Sequence, residues 1–403
     1  MLSFEEARRL VVEQIGKKRG PRATNLVSVW DALGLVLAQE VKTDREYPPF
    51  DRSTRDGYAL RSIEAAPGTE LQCMGEIKAG DVVTKPLAIG TCIQIMTGAA
   101  VPPGADAVVM IEHTQRSGDV VRFERAANAG QNIVPRGSEA AAGQTILKPG
   151  MRLGYAELAL AAQVGAAQLQ CATRPRVAIL STGDEVVLVD ETPGEFQIRN
   201  SNSVSLAAQV RLAGGEPVVL GNAADRVEDL SEKIALGLNE DVLVLSGGVS
   251  MGKYDLVEKV LKAMGAEFFF DAVAIRPGKP AVFGMCQGKS VFGLPGNPVS
   301  TMVTFELFVA PAIDLLSGAD ARPLPFVEAR LAESMSEKPG LTHFLPASIE
   351  WLGATPEVKA LLWQGSGDIA ALAHANCFLM VPADRDRLEA GERVSVLLRK
   401  DVV

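Results

Sequence analysis

The chain has 403 residues, 47% of them hydrophobic and 22% charged, with a formal net charge of −9 at pH 7; that suits two to four domains of roughly 150 residues each. The acidic balance and the lack of a basic block exclude a nucleic-acid surface, while five scattered cysteines and three separated histidines argue against a disulfide frame, a thiolate site or a zinc site. No apolar stretch reaches about 18 uninterrupted residues and the opening Met1-Leu2-Ser3-Phe4 is not a signal peptide, so the expectation is a soluble, cytoplasmic protein without membrane contact.

The first predicted element is a helix. Ser3 and Glu6 form a capping box, and Phe4, Ala7, Leu10, Val11 and Ile15 recur at helical spacing. A second helical piece is expected over 29–39, leading into Val41. These pieces are too small to stand alone, and the alanine- and leucine-rich helix over 155–164, stopped by Gly165, is their expected partner. A discontinuous helical domain (1–46 and 146–175) follows, with a β domain (47–145) inserted in it. The insert shows short β-branched runs at 93–96, 107–111 and 120–123. It also carries two dense segments, 49–59 around Asp56-Gly57 and 96–107 around Thr97. A plain reading makes Asp56-Gly57 a turn and pairs Asp51 and Asp56 with Arg52 and Arg55.

Residues 176–322 read as a doubly wound α/β domain. Four apolar runs are expected as buried parallel strands: Val177-Ala178-Ile179-Leu180, Val242-Leu243-Val244-Leu245, Ala281-Val282-Phe283 and Val291-Phe292-Gly293-Leu294. Helices are expected over 201–212, 227–238 and 256–264, with another strand over 217–220. Asn297 is placed as an N-cap with Pro298 at the first helical position, and Pro311 is expected to break or kink the helix that begins at Val299. After the proline-marked 322–325, residues 323–403 read as a small C-terminal β-barrel-like domain. The fold class is thus multidomain α/β.

Polar turns flank the four runs: Ser181-Thr182-Gly183-Asp184-Glu185, Ser246-Gly247-Gly248-Val249-Ser250-Met251-Gly252, Arg276-Pro277-Gly278-Lys279-Pro280 and Pro295-Gly296-Asn297-Pro298. At the carboxyl ends of strands such turns line one crevice, and their amides suit an anion such as phosphate. Glu185, Asp225 and Asp255 also follow strands. Carboxylates repel phosphate unless Mg²⁺ bridges the two, so the pattern asks for Mg²⁺ held by Glu185, Asp225 and Asp255. Arg276 and Lys279 add direct positive charge. A plainer alternative makes Glu185 and Asp225 helix caps or solvated residues. No His–Ser or His–Cys pair, Walker A spacing or G-x-G-x-x-G after a strand is present, which favours metal-assisted chemistry at phosphorus or an oxyanion.

Taken together, the segments 51–59, 97–103, 181–185, 246–252, 276–280 and 293–300 resemble the molybdopterin molybdotransferase family, the MoeA and gephyrin E-domain group, over nearly the whole chain. The resemblance implies a four-domain, L-shaped subunit whose α/β domain binds molybdopterin. It also implies a homodimer whose sites join the α/β domain of one chain to the Asp56 and Thr97 region of the other. The implied reaction takes adenylylated molybdopterin and molybdate with Mg²⁺, releases AMP and inserts molybdenum, as the last step of molybdenum-cofactor synthesis. A molybdopterin adenylyltransferase is an implied partner. The family's site acids fall on Asp56, Glu139, Glu185, Asp225 and Asp255, followed by Thr97, Arg276, Lys279 and Ser366. Lys279, Arg276 and Ser366 would receive molybdate, a tetrahedral dianion. Arg276 stands where lysine is more common, and Leu341 where an arginine of the site is expected. Two rivals share the α/β motifs: a molybdopterin carrier without turnover, and a nucleotide pyrophosphatase of the competence-damage type.

Overall fold

The structure is a computed structural model that describes every residue except 18, 19, 21, 83, 249–255, 352, 354 and 403. Its centre is a six-stranded sheet. Four parallel strands lie in the order Glu216–Ala223, Arg176–Thr182, Val242–Ser246 and Lys289–Leu294; Val282–Cys286 and Glu267–Phe270 extend it antiparallel. The sheet is covered on both faces, so the middle positions of its inner strands, residues 177–180, 242–245 and 291–294, are buried and carry no polar side chain. Val177, Ile179, Val242 and Val244 face one core, with the helix Ser201–Ala213 and the long helix after Asn297. Ala178, Leu180, Leu243 and Leu245 face the other, with Val227–Gly237 and Leu256–Ala263.

One expected parallel strand is not parallel. Val282–Cys286 forms a hairpin with Lys289–Leu294 through Gln287 and Gly288, both at positive φ, as a tight two-residue hairpin turn requires. The reversal carries the 276–280 turn, which precedes that strand, to the same sheet edge as the turns that follow the parallel strands.

The opening helix, Phe4–Lys17, has the expected capping box: Ser3 N donates to Glu6 Oε2 at 2.9 Å and Glu6 N to Ser3 Oγ at 3.2 Å. Its partner differs from expectation. Phe4, Ala7, Val11 and Ile15 pack into the α/β core and not against the helix Tyr155–Gln163. The reason lies at Pro311. The helix Pro298–Thr304 does not break there; it widens into a π-turn over Phe305–Val309, in which Ala310 N donates to Phe305 O, and continues as Ala310–Leu316. Proline has no N–H for the carbonyl four residues back. That carbonyl, Leu307 O, accepts instead from Arg8 Nη1 at 2.8 Å, which docks the opening helix. The 19-residue segment Pro298–Leu316 is long and apolar enough to cross a membrane by composition, but 83% of its most apolar window is buried inside the protein. It is a core helix.

No helix forms over 29–39. Thr24–Ser28 is a strand paired antiparallel with Gln168–Ala172, and Val36 and Leu37 make isolated bridges to Arg152 and Cys171. Gly34 at φ +75° interrupts the run, and the apolar positions serve a small mixed core with Leu147, Leu153 and Ala161. Between these two stretches the chain forms a six-stranded sheet in which Gly57–Leu60 lies between Thr91–Ile95 and Ala107–Met110. At the C-terminal end, five strands close into a barrel through the pairing of Thr342–Glu350 with Cys377–Val381. The α/β unit is tied to both neighbours. Buried Asp314 accepts from Arg152 Nη2 at 2.9 Å and pairs with Arg322 Nη2 at 2.7 Å, and Ile275–Arg276 joins the start of Thr342–Glu350 as a parallel pair.

Candidate active site

A cleft of about 750 Å³ opens at the carboxyl edge of the central sheet. Of the expected residues, Ser181, Thr182, Gly183, Glu185, Asp225, Ser246, Gly247, Gly248, Pro295, Gly296 and Asn297 line it. Gly252 and Asp255 lie outside the described residues. The floor is tightly built. Ser181 Oγ donates to Asn200 Oδ1 at 3.1 Å and lies 3.0 Å from Ser203 Oγ, and Asn200 Oδ1 caps the following helix by accepting from Ser203 N. Asn202 Nδ2 donates to Ser246 Oγ at 2.8 Å and to Gly296 O at 2.7 Å, joining two turns across the crevice. Gly247, at φ +92°, approaches so closely that a Cβ there would sit 2.8 Å from Thr182 O.

Acids gather at one end. Asp225 N donates to Asp184 Oδ1 at 3.1 Å, and the Asp225 carboxyl is pushed above the ordinary carboxylate range, first by partial burial and then by the charges of Asp184 and Glu185. Among the described residues, no group of three or more His, Cys, Asp or Glu side chains is arranged to hold a metal ion. The uncompensated repulsion nevertheless fits a cation that takes part of its shell from a ligand, as Mg²⁺ does with phosphates.

A second wall comes from the C-terminal unit. Asn297 stands at the start of the helix Pro298–Thr304 but does not cap it with its side chain. Its Nδ2 donates to Ser366 Oγ at 2.8 Å, and Ser366 O accepts from Val299 N at 3.0 Å. Gly367 and Ile369 then face the cleft. Ser366 is thus one hydrogen bond from the lining. Arg276 and Lys279 are exposed and do not line the cleft, although Pro280 beside them does.

Asp56 and Thr97 are elsewhere. Thr97 N and Oγ1 both donate to Asp56 Oδ1, at 2.6 and 2.8 Å, and these bonds hold the Asp56 carboxyl below its ordinary value. Neither residue lines the cleft of its own chain. The ion pairs expected around Asp56 do not form: Arg52 pairs with Glu139 at 3.2 Å, and Asp51 Oδ1 accepts from Arg136 N. Sequence reasoning named Asp184 only as part of a polar turn and missed Asn200, Asn202 and Asn222. An asparagine just before a helical run is an N-cap signal that points to Asn200; Asn202 and Asn222 act across the fold and have no local signal.

Three family models tile the chain: the MoeA N-terminal region (domain I and II) over residues 2–165, a probable molybdopterin binding domain over 178–315, and the MoeA C-terminal region (domain IV) over 328–398. A molybdopterin molybdenumtransferase of Staphylococcus aureus (strain MRSA252) is 30% identical over 393 residues, covering 96% of this chain and 94% of that protein. One of Staphylococcus epidermidis (strain ATCC 12228 / FDA PCI 1200) is 32% identical over 378 residues, covering 92% and 90%. The crystal structure of the molybdopterin biosynthesis MoeA protein from Pyrococcus horikoshii OT3 matches with TM-score 0.79 at 29% identity, over 99% of this chain and 100% of that one. With its domains in the same order and its likeness running nearly end to end, the chain belongs to the MoeA family of molybdopterin molybdenumtransferases.

Proposed function

We propose that this chain is a transferase that inserts molybdenum from molybdate into adenylylated molybdopterin, releasing AMP, as the last step of molybdenum-cofactor synthesis. The observation that carries the reading is the combination of glycine turns and clustered acids in one cleft, on a chain that matches molybdopterin molybdenumtransferases over nearly its full length. The turn amides at 182–183, 247–248 and 296–297 suit the pyrophosphate of the substrate. Glu185 and Asp225, with Asp255, would hold Mg²⁺. When bound there, Mg²⁺ would screen the pyrophosphate and draw charge from the AMP leaving group. Arg276 and Lys279, exposed beside Pro280, offer donors to molybdate, and Ser366 a hydroxyl.

Asp56 and Thr97 reach the cleft in this reading from a second copy of the chain, so the working unit is a homodimer with sites across the subunits. The protein works in the cytoplasm, where a molybdopterin adenylyltransferase supplies the substrate. The test is AMP release from adenylylated molybdopterin with Mg²⁺, with and without molybdate, following cofactor formation in the same tube. Release that needs molybdate and yields active cofactor supports the reading. Tight binding without release would make the protein a carrier, and hydrolysis of ADP-ribose without any pterin would make it a nucleotide pyrophosphatase.

A further inference from the structure

The acid end of the cleft is held together against its own repulsion, and the hydrogen bonds that hold it converge on one lysine outside the cleft lining. Strand Glu216–Ala223 runs parallel to Arg176–Thr182, with a register shift that sets Ser181 opposite Asn222. From that position Asn222 Nδ2 donates to Gly183 O at 2.8 Å and to Val186 O at 3.2 Å, spanning the turn that carries Asp184 and Glu185. Two residues on, Ala224 N donates to Asp229 Oδ2 at 2.7 Å, which fixes the turn that carries Asp225. Lys233, on the helix Val227–Gly237, bridges the two clamps: its Nζ donates to Asn222 O at 2.6 Å and to Asp229 Oδ2 at 2.9 Å.

The plain alternative is an ordinary helix pair, since Asp229 and Lys233 are four residues apart and such pairs contribute only a few tenths of a kcal/mol. That leaves the shorter bond unexplained, because Asn222 O belongs to a strand end and not to the helix. The two bonds of the lysine go to Asn222 O and Asp229, neither of them an acid of the cleft.

We propose that Lys233 is the positioning residue of the acid pair. By holding the carbonyl of Asn222 and the carboxylate of Asp229 together, it sets the two turns so that Glu185 and Asp225 face one divalent cation. The inference rests on the reading of Glu185 and Asp225 as ligands of that cation. Partners one bond removed from a ligand typically alter metal affinity by about 10- to 100-fold, and Lys233, which stands a further bond away through Asn222 and Asp229, is expected at the low end of that range.

The test uses the full chain with AMP present and Mn²⁺ as the probe, free Mn²⁺ being counted by electron paramagnetic resonance. Glu185→Gln is expected to abolish the site, Lys233→Met to weaken it about tenfold, and Lys233→Arg, which keeps donors for both partners, to restore it. Urea unfolding of the same variants separates position from stability, since loss of a lysine that merely stabilises the fold would lower the midpoint and leave the affinity unchanged. Parent-like Mn²⁺ affinity in Lys233→Met, with the site lost in Glu185→Gln, overturns the role of Lys233 and leaves the acid pair standing. Absence of any Glu185-dependent site in the parent overturns the acid-pair reading and this inference with it. Should Lys233→Met not fold, Asn222→Ala, which removes only the clamp on the Glu185 turn, is judged by the same comparison.

Discussion

Replacing Gly247 by alanine tests whether close backbone approach builds the floor of the cleft. Gly247 has φ +92°, and an added Cβ would meet Thr182 O at 2.8 Å and Thr182 Oγ1 at 3.1 Å. The first of these is backbone, so the end of the strand Arg176–Thr182 must shift. Gly265, after the helix Leu256–Ala263, supplies the control: its φ is +87°, and a Cβ there meets nothing within 4 Å. Both substitutions carry the left-handed penalty of about 1–2 kcal/mol. Only Gly247→Ala adds an overpacking cost, typically about 1–3 kcal/mol. The expected outcome is that Gly265→Ala loses the smaller amount of stability in urea and binds AMP like the parent. Gly247→Ala should lose about 1–3 kcal/mol more and bind AMP more weakly, because Thr182 and Gly183 move with the strand end. Equal losses of stability in the two variants, or undiminished AMP binding in Gly247→Ala, would refute the reasoning.

Two further outcomes follow from charge. Asp225 is an acid whose folded-state value is raised by burial and by Asp184 and Glu185. Its ionised form therefore weakens the fold, a penalty absent below the unfolded-state value and complete above the folded one. Asp225→Asn should be the more stable protein near neutral pH without divalent ions, by under about 1 kcal/mol at so exposed a site, and melts should show that margin shrinking as pH falls toward about 4. A margin that ignores pH would contradict this. Asp314 is the opposite case: its side chain is 3% exposed and holds both Arg152 and Arg322. Asp314→Ala leaves two guanidinium groups without their carboxylate and should cost about 3–5 kcal/mol in urea unfolding; a loss below about 1 kcal/mol, the scale of an exposed pair, would show the hub to be dispensable.

Signals contained in a few neighbouring residues were legible in the sequence. The Ser3–Glu6 capping box depends on four residues, and the sheet strands on unbroken apolar runs that only a doubly covered sheet can bury. The direction of Val282–Cys286 was available too, since two residues, Gln287 and Gly288, separate two apolar runs in the manner of a hairpin. What failed depended on partners far along the chain. Residues 29–39 have apolar spacing compatible with a helix, but the strands before and after them pair with segments more than a hundred residues away. Asn297 follows every local rule for a cap, yet Ser366, 69 residues on, takes its side chain. Asn222 acts through the carbonyls of Gly183 and Val186, and Lys233 reaches Asn222 O on a neighbouring strand as well as Asp229 on its own helix.

The place of Asp56 and Thr97 is the step at which one chain's geometry and the proposed chemistry part. Within the chain the two residues bind each other and stay outside the cleft, while every acid lining the cleft comes from the α/β unit. A site completed by a second subunit makes a quantitative demand. Asp56→Asn and Glu185→Gln should each be inactive alone, since each homodimer carries the same lesion at both sites. Refolded together in equal amounts, half the dimers are mixed, and each mixed dimer holds one site with both lesions and one with neither. Molybdate-dependent AMP release should then return to about a quarter of the parent value under two-fold symmetry. If both residues served the cleft of their own chain, every site would keep one lesion and mixing would restore nothing. That result would place Asp56 in the site of its own chain and remove the cross-subunit arrangement, whereas full activity in Asp56→Asn alone would confine Asp56 and Thr97 to a local turn held by the Thr97 hydrogen bonds.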